Sequence, residues 1–156
     1  MWRSSRLSRS SHISTQTTKH MDDCIFCKII KKELPADIVH EDEHTISFLS
    51  INPDNDGHTL VVPKEHHVDL ITTPVSVLTQ LMETCQKVAK GVMKGMEVEG
   101  YNLIQNNGAV AGQVIFHIHF HIIPRLSDDG FKHWKGIPYR DAAHSKEVAE
   151  KIQRSI

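Results

Sequence analysis

The stretch His117-Ile118-His119-Phe120-His121-Ile122-Ile123 alternates imidazole and apolar side chains. Successive side chains of an extended strand point to opposite faces, so this spacing predicts a strand whose three histidines share one face. Phe116, Ile118, Phe120 and Ile122 would then share the other face. Imidazoles held about 7 Å apart on a strand suit a phosphate or a metal ion, and histidine changes charge near neutral pH. The alternatives are a half-exposed strand that is rich in histidine without a function, and a row that only binds metal.

Length and composition describe an ordinary globular protein. The 156 residues correspond to one domain, with 39% apolar residues, 24% charged residues and a net charge of −1. We expect no nucleic-acid polymer as a partner, because there is no basic excess to neutralise its phosphates. No run of 18 apolar residues is present, so no membrane span is expected. Three cysteines, an odd number, argue against a disulfide framework and for a reducing compartment.

Residues 1–21 differ from the rest of the chain. They contain Arg3, Arg6, Arg9 and Lys19, six serines, and neither Asp nor Glu. This composition is typical of an organellar transit peptide and predicts mitochondrial import. The alternatives are a disordered extension, or a segment upstream of a start at Met21, in which case the protein would be cytoplasmic.

The remaining pattern predicts an α+β fold with an antiparallel sheet. Apolar residues from Leu78 to Met96 recur every three to four positions, which indicates one long amphipathic helix. We expect Thr73 to cap it, Pro74 to open it and Gly100 to end it. The other predicted elements are a short helix over 24–32, strands over 36–40, 45–49, 58–63 and 101–105, the histidine strand closed by Pro124, and a last helix over 142–154.

Cys24 and Cys27 form a CxxC pair that is a weak signal by itself. It fits a redox pair, half of a zinc site, or two core cysteines, because no second CxxC or HxxxH lies nearby.

Several segments resemble the histidine triad (HIT) superfamily. The stretch 112–121 (GQVIFHIHFH) resembles its signature, and 24–30 (CIFCKII), 48–66 (FLSINPDNDGHTLVVPKEH) and 102–113 (NLIQNNGAVAGQ) are similar to it in the same order. The resemblance assigns 22–130 to a HIT domain and 131–156 to a C-terminal tail, and it is strongest to the Hint branch. It implies a HIT-like sheet of about five strands with one long and one short helix, joined to a second sheet across a homodimer.

The resemblance also implies an activity on purine nucleoside 5'-monophosphate derivatives of the phosphoramidate or acyl-adenylate type. His119 would attack the α-phosphorus to form a nucleotidyl-histidine that water hydrolyses, His121 would contact the phosphate oxygens, and His58 would be the fourth active-site imidazole. A neutral imidazole is a competent nucleophile near pH 7, and no metal is required for this chemistry. The residues that match the nucleotide site are Ile25, Phe26, Ile29, Phe48, Ser50, Ile51, Asn106, Gly112, Gln113 and Val114.

Many bacterial HIT proteins that resemble this chain hold a structural zinc. The matching residues here are Cys24, Cys27, His66 and His117, and two thiolates with two imidazoles make a reasonable closed tetrahedral site.

Two positions depart from the family pattern. Ser50 stands where relatives usually carry an acid that holds the ribose hydroxyls, and Val114 stands where many carry Ser or Thr. These departures keep open the alternative of a nucleotide-binding scaffold without catalysis. A second enzymatic alternative is a diadenosine polyphosphate hydrolase.

Overall fold

The computed structural model describes residues 23–156. The predicted transit peptide, residues 1–21, lies outside this range and stays a prediction. Within the described range there are three α-helices and five strands, and no helix is long and apolar enough to cross a membrane.

The five strands form one antiparallel sheet in the order β1-β2-β3-β5-β4. The predicted α+β fold with one long and one short helix is confirmed. The elements are α1 (Ile25–Ile30), β1 (Ile38–Glu41), β2 (Thr45–Leu49), β3 (Thr59–Pro63), α2 (Val75–Gly95), β4 (Gly100–Ile104), a 3₁₀ turn (Ala109–Ala111), β5 (Phe120–Arg125) and α3 (Ala142–Gln153).

Side-chain alternation along β3 divides the interior into two clusters. Val61 packs with Ile118, Phe120 and Ile122 against the buried face of α2. Leu60 and Val62 point the other way, where they pack with Ile46, Phe48 and Phe26 beneath α1. The sheet therefore has α2 on one face and α1 on the other, and the histidines lie on the α1 side.

Helix α2 is amphipathic as predicted, but its ends differ from the expectation. The helix begins at Val75 with Pro74 as the N-cap residue, because the hydroxyl of Thr73 donates to the carbonyl of Asp69 instead of capping the helix. It ends at Gly95, and Gly100 is the first residue of β4. Cys85 lies in the core on its buried face, where burial raises the pKa of the thiol to about 12.

The histidine strand is shorter than predicted at its start and longer at its end. β5 begins at Phe120, so His117 and His119 lie in the segment before it, and Pro124 lies inside the strand. The pairing of β5 with β3 ends at Ile122, two residues before Pro124, so Pro124 has only β4 beside it. A proline without an N–H group is tolerated at such a position. Phe116 was expected on the same face as Ile118 and Phe120, but it lies before the strand and is half exposed.

The C-terminal tail contains the predicted last helix, α3. Asp141 caps it by accepting a hydrogen bond from the backbone N–H of His144, and none of its residues is buried. The tail contributes nothing to the two core clusters.

Candidate active site and metal centre

The three imidazoles of the histidine segment lie side by side, and each one contacts a different part of the site. His117 faces the CxxC pair, His119 faces the ring of Phe26 at a centroid distance of 5.1 Å, and His121 faces His58. The rings of His119 and His121 are 4.9 Å apart. The predicted row of histidines on one side of the sheet is therefore present.

A backbone carbonyl fixes the tautomer of His119. Its Nδ1 lies 2.6 Å from the carbonyl oxygen of His117, and a carbonyl only accepts, so Nδ1 carries the proton. The lone pair is therefore on Nε2. Burial lowers the pKa of His119, although the bond to His117 opposes that change, and the ring is neutral near pH 7. A neutral ring with an unprotonated Nε2 is the form that acts as a nucleophile.

His121 and His58 form a second fixed pair. The Nε2 of His58 lies 2.9 Å from Nδ1 of His121, and Nδ1 of His58 accepts from the backbone N–H of Asp54 at 3.1 Å. In the neutral pair, His58 therefore donates through Nε2 and His121 carries its own proton on Nε2. Burial, followed by the neighbouring His119 and His58, lowers the pKa of His121 to about 4. The pair thus offers an N–H donor beside the nucleophile.

One cavity of about 620 Å³ opens over His119 and His121. Its apolar end is formed by side chains from α1 and β2, and its rim by the segment 50–52 together with Gly112, Val114 and Ile115. This cavity brings together nine of the ten predicted nucleotide-site residues: Ile25, Phe26, Ile29, Phe48, Ser50, Ile51, Asn106, Gly112 and Val114.

Two predicted site residues, Gln113 and His58, lie outside the cavity lining. Gln113 does not line the cavity, because its buried amide accepts from the N–H of Gly108 and donates to the carbonyl groups of Val68 and Ile115. It braces the loop that carries Gly112. His58 is 3% exposed and reaches the cavity only through His121.

Gly112 adopts a left-handed conformation (φ 89°) that favours glycine, which lets the chain turn between the 3₁₀ turn and the histidine segment. Val114 follows at the rim, where it is 81% exposed. A side chain at this position faces solvent and any bound molecule, not the core.

The cavity also contains residues that sequence reasoning missed. Leu60 lies at its base, and the period-two pattern of β3 was the signal that could have placed it there. Asp37 precedes β1 and its carbonyl accepts from the N–H of Leu49, next to Ser50. No sequence pattern pointed to Asp37. The remaining lining residues are Pro35, Ala36, Leu49, Asn52 and Ile115.

The four predicted zinc ligands come together beside the cavity. The ligand atoms of Cys24, Cys27, His66 and His117 all lie within 4.8 Å of one another. The sulfur of Cys27 is 3.3 Å from Nδ1 of His66 and 3.6 Å from Nδ1 of His117. Zinc bonds of 2.0–2.3 Å in a tetrahedron place ligand atoms roughly 3.4–3.8 Å apart, so the spacing fits the ion.

The outer contacts of His117 support the same conclusion. Its Nε2 lies 2.9 Å from the carbonyl oxygen of Pro63, so Nε2 carries the proton and Nδ1 keeps its lone pair towards the cysteines. A metal-binding histidine usually donates its other N–H to such an acceptor. His117 is fully buried and does not line the cavity, which separates it from the imidazoles of His119 and His121.

Comparison with known proteins agrees with the fold and the site. The sequence profile described as HIT domain matches residues 31–128, and the chain belongs to this family. The uncharacterized HIT-like protein MJ0866 of Methanocaldococcus jannaschii is 51% identical over 107 residues, covering 69% of this chain and 82% of that protein.

Two of the similar proteins are named for an enzymatic activity. Adenosine 5'-monophosphoramidase HNT1 of Saccharomyces cerevisiae is 43% identical over 105 residues, covering 67% of this chain and 64% of that protein. Adenylylsulfatase HINT3 of Arabidopsis thaliana is 43% identical over 108 residues, covering 69% of this chain and 55% of that protein.

Two solved structures are similar along most of the chain. SMU.412c from Streptococcus mutans UA159 superposes with a TM-score of 0.84 at 34% identity, covering 96% of this chain and 99% of that chain. A Zn-bound histidine triad family protein from Mycobacterium smegmatis superposes with a TM-score of 0.69 at 32% identity, covering 87% of this chain and 99% of that chain.

Proposed function

We propose that this chain is a hydrolase or transferase of purine nucleoside 5'-monophosphate derivatives with a phosphoramidate or acyl-adenylate linkage. The observation that carries the proposal is the unprotonated Nε2 of His119 beside the N–H of His121 in one cavity. A nucleophile and an acid at adjacent positions are the two groups that a displacement at phosphorus requires.

The reaction would proceed in two displacements. His119 Nε2 attacks the α-phosphorus, and the leaving group takes the Nε2 proton of His121 while Nδ1 of His121 accepts the Nε2 proton of a protonated His58. Water then hydrolyses the nucleotidyl-histidine, which divides one difficult displacement into two easier ones. The apolar end of the cavity, with the edge-to-face pair Phe26 and Phe48, suits a flat purine base. Asn106 and the chain around Gly112 would hold the phosphate.

Two relatives support this substrate class, because they are named for adenylate derivatives with nitrogen or sulfate leaving groups. Ser50 and Val114 keep the alternative of a non-catalytic scaffold, and a diadenosine polyphosphate hydrolase is the second enzymatic alternative. Steady-state assays of the purified protein on adenosine 5'-phosphoramidate and on a diadenosine polyphosphate separate the three. We expect faster turnover of the phosphoramidate. Turnover of the polyphosphate alone, or nucleotide binding without turnover, would favour one of the alternatives.

We also propose a structural zinc held by Cys24, Cys27, His66 and His117. The ion would tie α1 to the end of β3 and to the histidine segment, and its binding energy would stabilise the fold. It would leave His119 free for chemistry, because the two imidazoles belong to different sites.

A homodimer formed along β4 completes the proposal. In the described part of the chain β4 pairs with β5 only, so its outer edge presents unpaired backbone groups. Half-exposed Tyr101 and Leu103 on this strand, with Met82 on α2, form an apolar surface next to that edge. Light scattering after size exclusion should give twice the chain mass of 17.7 kDa.

A further inference from the structure

A residue outside the cavity completes a chain of three side chains that starts at the candidate acid. The Nδ1 of His121 meets Nε2 of His58 at 2.9 Å, and Nδ1 of His58 lies 3.5 Å from the carboxylate of Asp54. His58 is 3% exposed, whereas the side chain of Asp54 is 64% exposed. The order is therefore cavity, His121, His58, Asp54 and solvent.

Asp54 offers His58 two different partners. Its backbone N–H donates to Nδ1 at 3.1 Å, which suits a neutral ring, and its carboxylate lies 3.5 Å from the same nitrogen, which suits a protonated ring. Nδ1 is an acceptor in the first state and a donor in the second. One residue can therefore satisfy both protonation states of a buried imidazole.

The loop that carries Asp54 is held in place. Asn55 donates through its side-chain amide to the carbonyl of Pro124 and to the carboxylate of Asp129, and its own carbonyl accepts from the N–H of His58. Asp54 thus remains beside His58 because the next residue is tied to β5 and to the turn beyond it.

We propose that Asp54 is a positioning residue that stabilises the protonated form of His58, the form that replaces the proton which His121 gives to the leaving group. The proposal rests on the proposed function and adds a residue to it. In the first half, the bond from His119 Nε2 to phosphorus forms and the bond to the leaving group breaks, with its electron pair going to the leaving group. The Nε2 proton of His121 passes to the leaving group, and the Nε2 proton of His58 passes to Nδ1 of His121.

The second half restores the starting state. The water oxygen bonds to phosphorus, the phosphorus–nitrogen bond breaks, and its electron pair returns to His119. One proton of that water goes to Nε2 of His121, and the Nδ1 proton of His121 returns to Nε2 of His58. Protons balance over the cycle. The imidazolium form of His58 is present in the substrate complex before the first half and in the product complex after the second, and the Asp54 carboxylate stabilises it.

The electrostatics of the free protein agree with this role. Burial lowers the pKa of His58, and the carboxylate of Asp54 opposes that change. Asp54 has the same raising effect on His121, against burial and the charges of His119 and His58. The negative charge of a bound phosphate would further favour the protonated pair.

The test uses Asp54→Asn, which keeps the backbone N–H and the size of the side chain but removes the charge. Asp56→Asn is the matched control, because Asp56 is an exposed acid on the same loop. Each protein is assayed on adenosine 5'-phosphoramidate, whose leaving amine needs a proton. Each is also assayed on the p-nitrophenyl ester of AMP, whose leaving group needs no proton, and there the release of p-nitrophenol in the first half of the reaction is measured.

We expect Asp54→Asn to lower kcat on the phosphoramidate by about tenfold or more, with less than a threefold change in p-nitrophenol release. Asp56→Asn should match wild type on both. Equal losses on both substrates, or no loss on either, would overturn the proposal while the proposed function stands. If the wild type turns over neither substrate, the proposed function is wrong, and the role of Asp54 is wrong as well.

Titration of the imidazoles by NMR gives a second readout that does not depend on turnover. In Asp54→Asn the pKa of His58 should fall by about half a unit or more relative to both wild type and Asp56→Asn. An unchanged pKa would also overturn the role of Asp54.

Discussion

The Nδ1 atom of His119 lies 2.6 Å from the carbonyl oxygen of His117, two residues earlier in the same segment. This contact places the proton on Nδ1 and leaves Nε2 of His119 as the lone pair beside the cavity. The same segment thus supplies the candidate nucleophile and the acceptor that fixes its tautomer.

Replacing His119 with alanine should abolish turnover and leave the fold intact. Loss of a covalent route typically costs on the order of 10³-fold or more in rate. Binding of AMP should remain, because the rest of the cavity is unchanged. The control is His44→Ala, at an exposed histidine between β1 and β2. A rate for His119→Ala within a few-fold of wild type would show that the mechanism is wrong.

Metal analysis of protein purified without chelators should find about one zinc per chain. Cys24→Ser and Cys27→Ser should each lose the metal and lower the melting temperature by about 5 °C or more, because the binding energy is folding energy. Cys85→Ser is the control, because it removes a buried thiol that is not among the four ligands. This variant should keep the zinc. If the wild-type protein contains no zinc and EDTA does not change its melting temperature, the proposed zinc site is wrong.

Aspartate at position 50 should tighten the binding of AMP. Ser50 lines the cavity, and its hydroxyl accepts a 3.3 Å hydrogen bond from the N–H of Asn52. A carboxylate there could accept from both ribose hydroxyls through charge-assisted bonds, with a gain of about 1–2 kcal/mol. Calorimetry on Ser50→Asp and Ser50→Asn separates charge from size. An equal or weaker affinity in Ser50→Asp would mean that the ribose lies elsewhere.

The stability of the protein should fall as the pH drops below neutral, and His121 should contribute to this fall. Its pKa in the folded protein, about 4, lies below the ordinary value of 6.5. The unfolded chain therefore binds more protons between these values, and acid favours unfolding over that range. The melting temperature of His121→Gln should change less between pH 7 and pH 5 than that of wild type. Identical changes in the two proteins would contradict the buried, neutral state of His121.

Residues 1–21 should be dispensable for activity, and we propose that they direct import into mitochondria. They offer few apolar side chains and no acids, which is a poor basis for a packed core. A chain that starts at Met21 should match the full-length protein in rate and melting temperature. A fluorescent fusion of residues 1–21 should reach mitochondria. A diffuse cytosolic signal would reject the targeting role and favour Met21 as the working start.

Local periodicity explains why much of the fold could be predicted. The period-two pattern placed Ile118, Phe120 and Ile122 on one face, and the structure buries that face in the core. The spacing along α2 predicted a core face that includes Leu81, Cys85 and Val88, which are buried in the same cluster. The ends of elements were less predictable. Thr73 looks like a helix cap, yet its hydroxyl bonds to the carbonyl of Asp69, and the choice between two such partners depends on how the preceding turn folds.

The sequence by itself determined which side chains could share a face, because alternation along an extended chain is a property of the backbone. It did not determine which nitrogen of each imidazole carries a proton. That depends on Pro63, whose carbonyl meets His117 across 54 positions of the chain, and on His58, which meets His121 across 63. Only the pairing of β3 with β5 brings these partners within hydrogen-bond distance. The tertiary structure therefore decided which imidazole faces the two cysteines, which imidazoles face the cavity and which one faces Asp54.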